Sequence, residues 1–104
     1  MKNNDTKTRD DMPTKYGLES AVEDSLVADG CRIYGTVKNC VVFRGVVVKE
    51  GAVVENSVLM QDSVVEDGAK IANVILDKNV TVTGGKEMCG TESYPIYVRK
   101  DTTV

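Results

Sequence analysis

The sequence predicts an all-β chain wound as a parallel β-helix, a three-sided prism of about four to five coils. Three observations predict it. A unit of 17 residues is written three times between Tyr34 and Gly84, as Tyr34–Glu50, Gly51–Asp67 and Gly68–Gly84. Its apolar columns fall at steps of five, six and six residues: Val37, Val42, Val48; Val54, Leu59, Val65; Ile71, Leu76, Val82. Its corners repeat as well, with Asn39, Asn56 and Asn73 in one column and Gly51–Ala52 above Gly68–Ala69 in another.

A step of six suits one short strand and a corner, not the 3.6-residue period of a helix. Three such steps bring the chain round once, which is the hexapeptide-repeat pattern. A unit this short cannot bury its own apolar side, so the units stack and bury it against each other. Small or apolar residues two before a column residue share its face of the strand and point inward. Cys40 before Val42, Ala52 before Val54, Ser57 before Leu59 and Ala69 before Ile71 are of this kind. Gly-Ala corners let the chain turn where a side chain would crowd it. Asn tolerates turn backbone, and stacked amides bond each other from coil to coil, so the asparagine column is read as structural.

In chain order, residues 1–20 are polar, mixed in charge and aperiodic, and read as a linker or leader; Tyr16 within them is an apolar anchor that needs a surface. The β-helix domain is expected over 21–104. Its first coil echoes the repeat at Val22, Val27 and Ile33, but Ile33 to Val37 is four residues, a trimmed coil. After Val82 the pattern breaks at Gly84-Gly85, so 83–95 is expected as a loop insertion. It resumes at 96–104, a closing strand that docks on the open end of the prism and blunts its edge.

Composition narrows the function. With 5% aromatics and no Trp, the core must be aliphatic. Net charge is −3 with both signs interspersed, which leaves no footprint for nucleic acid. No apolar run spans a membrane and no apolar leader marks secretion, so a cytoplasmic protein is expected. Three cysteines, an odd number, argue against a disulfide framework. Cys31 and Cys40 fall in inward slots, and Cys89 in the expected loop. The chain has no histidine. Imidazole is the usual general base near neutrality and the readiest zinc ligand, so acyl transfer and zinc hydration lose their usual agent. The cysteines lack Cys-x-x-Cys spacing, and no catalytic residue, metal or cofactor is assigned.

Outward positions carry more information. The residue just before an inward one points out, and before Val27, Val42, Leu59 and Leu76 stand Leu26, Val41, Val58 and Ile75. An outside row of large aliphatics predicts an interface, with Phe43 and Met60 packing beside it. A second face carries Val47 and Val64 but ends at Thr81; the third, Thr36, Val53 and Lys70, is mixed.

The runs MPTKYG, SLVADGCRIYGTVKN, VVFRGV, LDKN and YPIYVRKD, between Thr6 and Val104, resemble the C-terminal domain of ADP-glucose pyrophosphorylase (glucose-1-phosphate adenylyltransferase). The resemblance is nearest to the non-catalytic partner subunit of Gram-positive bacteria. It implies a left-handed coil, against the usual right-handed crossover, and a regulatory and oligomerising role in ADP-glucose synthesis for glycogen. It also implies that catalysis belongs to a separate nucleotidyltransferase domain, so the expected partners are that domain and sister subunits. In the plant enzymes of this family, lysines of an I-D-K-N corner and a closing I-K-D strand bind phosphorylated activators. Lys78 in LDKN and Lys100 in RKD match them, and Arg44 of FRGV and Arg99 add donors suited to phosphate oxygens. Arg99 departs from the plant pattern, which has an aliphatic residue there. The alternative is a general β-helix interaction module of another sugar-nucleotide pyrophosphorylase or of a scaffold.

Overall fold

The computed structural model describes residues 13–104. Fifteen short strands wind as five coils of three. The first coil holds β1 (Lys15–Tyr16), β2 (Ala21–Glu23) and β3 (Leu26–Val27); the second β4 (Arg32–Ile33), β5 (Thr36–Lys38) and β6 (Val41–Val42). The third holds β7 (Val47–Val48), β8 (Val53–Glu55) and β9 (Val58–Leu59); the fourth β10 (Val64–Val65), β11 (Lys70–Ala72) and β12 (Val74–Leu76). The fifth holds β13 (Thr81–Val82), β14 (Glu87–Cys89) and β15 (Ile96–Val98). Every third strand pairs in parallel, giving three five-stranded walls: β1-β4-β7-β10-β13, β2-β5-β8-β11-β14 and β3-β6-β9-β12-β15. This is a three-walled β-solenoid with the architecture of a hexapeptide-repeat left-handed β-helix.

The expected columns are the core. Val37, Val54 and Ile71 stack in the second wall, Val42, Leu59 and Leu76 in the third, and Val48, Val65 and Val82 in the first. All nine are buried, and the small slots Cys40, Ala52, Ser57 and Ala69 are buried with them. Buried hydroxyls need partners, and here they staple one coil to the next. Ser57 Oγ donates to Glu55 O and accepts from Val74 N; Ser63 Oγ donates to Asp77 O and accepts from Val80 N. Burial pushes the Cys31 and Cys40 thiols up from their ordinary range, so both stay neutral core residues.

Corners explain the choice of Asn, Asp and Gly. Asp24, Asn39, Asn56 and Asn73 all have φ near +50° (50, 54, 49 and 56), a left-handed conformation that other side chains adopt at a cost of about 1–2 kcal/mol. Asn39 Nδ2 donates to Asn56 Oδ1 at 2.6 Å, the expected amide stack, while Asn73 Nδ2 turns to Gly90 O at 3.2 Å. Gly35 has a different reason to be glycine. It takes the trimmed corner between Ile33 and Val37, where a Cβ would run into Ala52 O and sit 2.7 Å from Lys49 O.

Two expected boundaries are corrected. The stretch 1–20 is not all leader, because β1 at Lys15–Tyr16 pairs with Arg32–Ile33 and founds the first wall. Tyr16 is there because it takes the inward column. The leader reading of residues 1–12 lies outside the described residues. The loop expected over 83–95 is also too long. Gly84-Gly85 is the ordinary corner, with Gly85 left-handed like Gly51 and Gly68 (φ 75, 77 and 73). Glu87–Cys89 pairs in register with Lys70–Ala72, which puts exposed Cys89 on a strand. Only the segment between Cys89 and Ile96 bulges, because the wall's hydrogen bonds hold register and force extra residues out at the corner. At the end of the chain Thr81 N donates to Thr102 O and Thr83 N to Val104 O, both at 2.9 Å. That final segment covers the edge of the first wall, and Val104 packs on the core.

Candidate functional site

The outer side of the third wall is a continuous apolar ladder. Leu26 pairs with Val41, Val41 with Val58, Val58 with Ile75 and Ile75 with Tyr97. The expected four residues are therefore brought together on adjacent rungs. Tyr97 is a fifth rung that was missed, although its position just before inward Val98 was the available signal. Leu26 is 73% exposed and Tyr97 55%, so the two ends of the ladder stand proud of the wall. Phe43 is exposed at its edge, and a shallow groove of about 340 Å³ runs between Leu26, Val41, Phe43, Arg44 and Gln61. The other walls break the pattern. Outward positions of the first run Lys15, Arg32, Val47, Val64, Thr81; those of the second run Ala21, Thr36, Val53, Lys70, Glu87.

The charged candidates gather on the corner where the third wall ends. Asp62 N donates to Arg44 O, Asn79 N to Gln61 O and Asp101 N to Lys78 O. Arg44, Gln61, Lys78 and Lys100 thus occupy one vertical ridge on successive coils. Coils rise about 4.8 Å each, so Lys78 and Lys100 are neighbours while Arg44 lies two coils, roughly 10 Å, below Lys78. Arg99 sits beside Lys100, on the coil above Asp77. Turn geometry places Arg44, Lys78 and Lys100: each precedes a left-handed residue at the corner, Gly45, Asn79 or Asp101, and so projects from the edge of the prism. Lys78, Arg99, Lys100 and Arg44 are all exposed.

Three carboxylates share the ridge, and two of them have internal partners. Asp101 Oδ1 accepts from Asn79 Nδ2 at 2.9 Å. Asp77 Oδ1 accepts from Lys78 N, and its Oδ2 accepts from the Tyr97 hydroxyl. The Tyr97 bond, then the Lys78 amide and the Lys78 and Lys100 charges, hold the Asp77 carboxyl below its usual range. The same bond, with the Asp77 charge, raises Tyr97. The bond is therefore intact below the ordinary tyrosine range and lost as pH rises through Tyr97's own higher value. At the acid end it persists above the ordinary carboxylate range and fails as pH falls through Asp77's depressed value. Asp77→Asn should lower the titration midpoint of Tyr97, read from its ring carbon by NMR; an unmoved midpoint would show the two groups uncoupled.

A three-walled coil of six-residue steps places the chain in the hexapeptide-repeat class of β-solenoids. Within that class, residues 11–93 match the model of the GlmU-like, C-terminal hexapeptide family, and the chain belongs to that family. It is 50% identical over 95 residues to the glycogen biosynthesis protein GlgD of Bacillus subtilis (strain 168), covering 91% of this chain and 28% of that protein. GlgD of Geobacillus stearothermophilus is 55% identical over 49 residues, 47% of this chain and 14% of that protein. The glucose-1-phosphate adenylyltransferase of Acetivibrio thermocellus is 51% identical over 43 residues, 40% of this chain and 10% of that enzyme. The chain thus spans little more than a quarter of the longest-matched relative. Among the described residues no helix is long and apolar enough to cross a membrane.

Proposed function

We propose that this chain is the C-terminal assembly and regulatory domain of a glucose-1-phosphate adenylyltransferase-like protein serving glycogen synthesis. The five-rung ladder on the third wall carries the reading, together with the likeness to GlgD over nearly the whole chain. Its part in the protein is to hold a nucleotidyltransferase domain or a sister subunit against the Leu26–Val41–Val58–Ile75–Tyr97 wall. Removing apolar side chains from water is worth about 25 cal/mol per Å².

Val58→Lys tests the docking wall. The unmodified chain should self-associate in sedimentation velocity at high concentration, and the lysine at the ladder's centre should abolish this by burying an unpaired charge. Monomeric behaviour of both would remove the wall from consideration.

The ridge is the regulatory half of the proposal. Lys78 and Lys100, one coil apart, place two ammonium groups within reach of one phosphate, with Arg99 beside Lys100 and Arg44 two coils below Lys78. Asp77 and Asp101 are hydrogen-bonded to Tyr97 and Asn79, and a phosphorylated sugar on the ridge would share Lys78 and Lys100 with the Asp77 charge. In the full-length protein, Lys78→Ala with Lys100→Ala should weaken activation by a phosphorylated effector about tenfold or more, two charge-assisted contacts being lost. An unchanged activation curve would refute the ridge as the effector site.

A further inference from the structure

The apolar ladder and the basic ridge meet at one hydrogen bond. Among the rungs of the third wall Tyr97 alone carries a polar side-chain atom, and it stands one coil above Ile75 in register. Its hydroxyl donates to Asp77 Oδ2 on the coil below, while Asp77 Oδ1 accepts from Lys78 N. Asp77 lies where the wall ends and the ridge begins, two residues after Ile75 and one before Lys78. The charges of Lys78 and Lys100 act on the same carboxylate. One acceptor is thus shared by a residue of the wall and the two lysines of the ridge.

We infer that the Tyr97–Asp77 bond couples the two surfaces: an anion held by Lys78 and Lys100 tightens the bond, and the tightened bond strengthens attachment at the third wall. This rests on the reading of ridge and wall given above and adds the link between them. Asp77 is drawn two ways, toward the ammonium charges and toward the Tyr97 hydroxyl. A phosphate that takes the lysines leaves the carboxylate less compensated, and so a stronger acceptor for the hydroxyl. Tyr97 is 55% exposed, and holding its hydroxyl at Asp77 fixes the ring as the top rung before a partner arrives. The partner then covers a ring already ordered and a hydroxyl already bonded, which lowers the cost of binding. Linkage makes the effect reciprocal, so a covered wall raises the ridge's affinity for the anion by the same factor. Both groups face water, which keeps that factor at about two- to fivefold. Arg99 also acts on the Tyr97 hydroxyl, in the sense opposite to Asp77, so the test removes the carboxylate and the hydroxyl separately and leaves Arg99 in place.

The test uses the full chain with inorganic phosphate as the probe, at pH 7 and constant ionic strength. By NMR the amides of Lys78 and Lys100 should shift, and the Tyr97 ring carbon that bears the hydroxyl should follow the same binding curve. Asp77→Asn should keep the lysine shifts and lose most of the Tyr97 response. In sedimentation velocity phosphate should tighten self-association about two- to fivefold. Tyr97→Phe, which keeps the ring and removes the hydroxyl, should self-associate with no dependence on phosphate. Lysine shifts with an unmoved Tyr97 carbon, an equal Tyr97 shift in Asp77→Asn, or an equal phosphate dependence in Tyr97→Phe would overturn the coupling and leave ridge and wall standing. Lysine amides that never shift would instead remove the ridge, and a chain that never self-associates would remove the wall; either result takes the coupling with it.

Discussion

Leu59→Ala should lower the unfolding free energy by about 2–5 kcal/mol, the range for emptying a fully buried leucine site. Leu59 lies at the middle coil of the third wall, between Val42 below and Leu76 above, with 0% exposure. Its stack is hydrogen-bonded on both sides, through Phe43 N to Leu59 O and Met60 N to Leu76 O, so the coils cannot collapse vertically into the void. Urea denaturation followed by circular dichroism measures the loss. A domain of this size has about 5–15 kcal/mol to lose, so the midpoint should fall by a large fraction. The slope should stay constant if the five coils unfold together. A change under about 1 kcal/mol would mean that Leu59 is not packed as the column requires.

Gly35→Ala should also be severe, at about 1–3 kcal/mol or more, the cost of forcing atoms into a filled site. The obstacle is backbone, not a movable side chain: the added methyl meets the carbonyl oxygens of Ala52 and Lys49, one coil up. Those oxygens are fixed because Thr36 N and Ala52 N donate to them. Gly68→Asn is the informative contrast. Nothing lies within 4 Å of a Cβ there, and its φ of +73° is one that asparagine accepts, so its midpoint should barely move. A Gly35→Ala midpoint moved as little as that of Gly68→Asn would show that the Ala52 and Lys49 carbonyls give way to the added methyl.

The core and its corners were legible in the residues because both are local consequences of the coil. A strand alternates its side chains, so the 17-residue period alone places Leu59 inside and Val58 outside. A corner needs a left-handed residue, so Asn39, Asn56 and Asn73 announce themselves. Misreadings fell where spacing and register part company. Gly84-Gly85 looked like the start of a loop, yet counting 17 from Gly68 and Ile71 reaches Gly85 and Met88, the next corner and the next inward residue. The candidate ladder was legible for four rungs, and its fifth, Tyr97, was obscured by the insertion before it.

By itself the sequence determined how many walls there are, which side chains fill the shaft and which conformations the corners adopt, because each depends on a handful of neighbouring residues. Only the tertiary structure decided that Lys100 stands directly over Lys78 and that Asp77 is bonded to Tyr97. These relations span 20 or more residues. Inter-strand hydrogen bonds set them, holding neighbouring coils in register while the chain between Cys89 and Ile96 bulges outward without disturbing the stack.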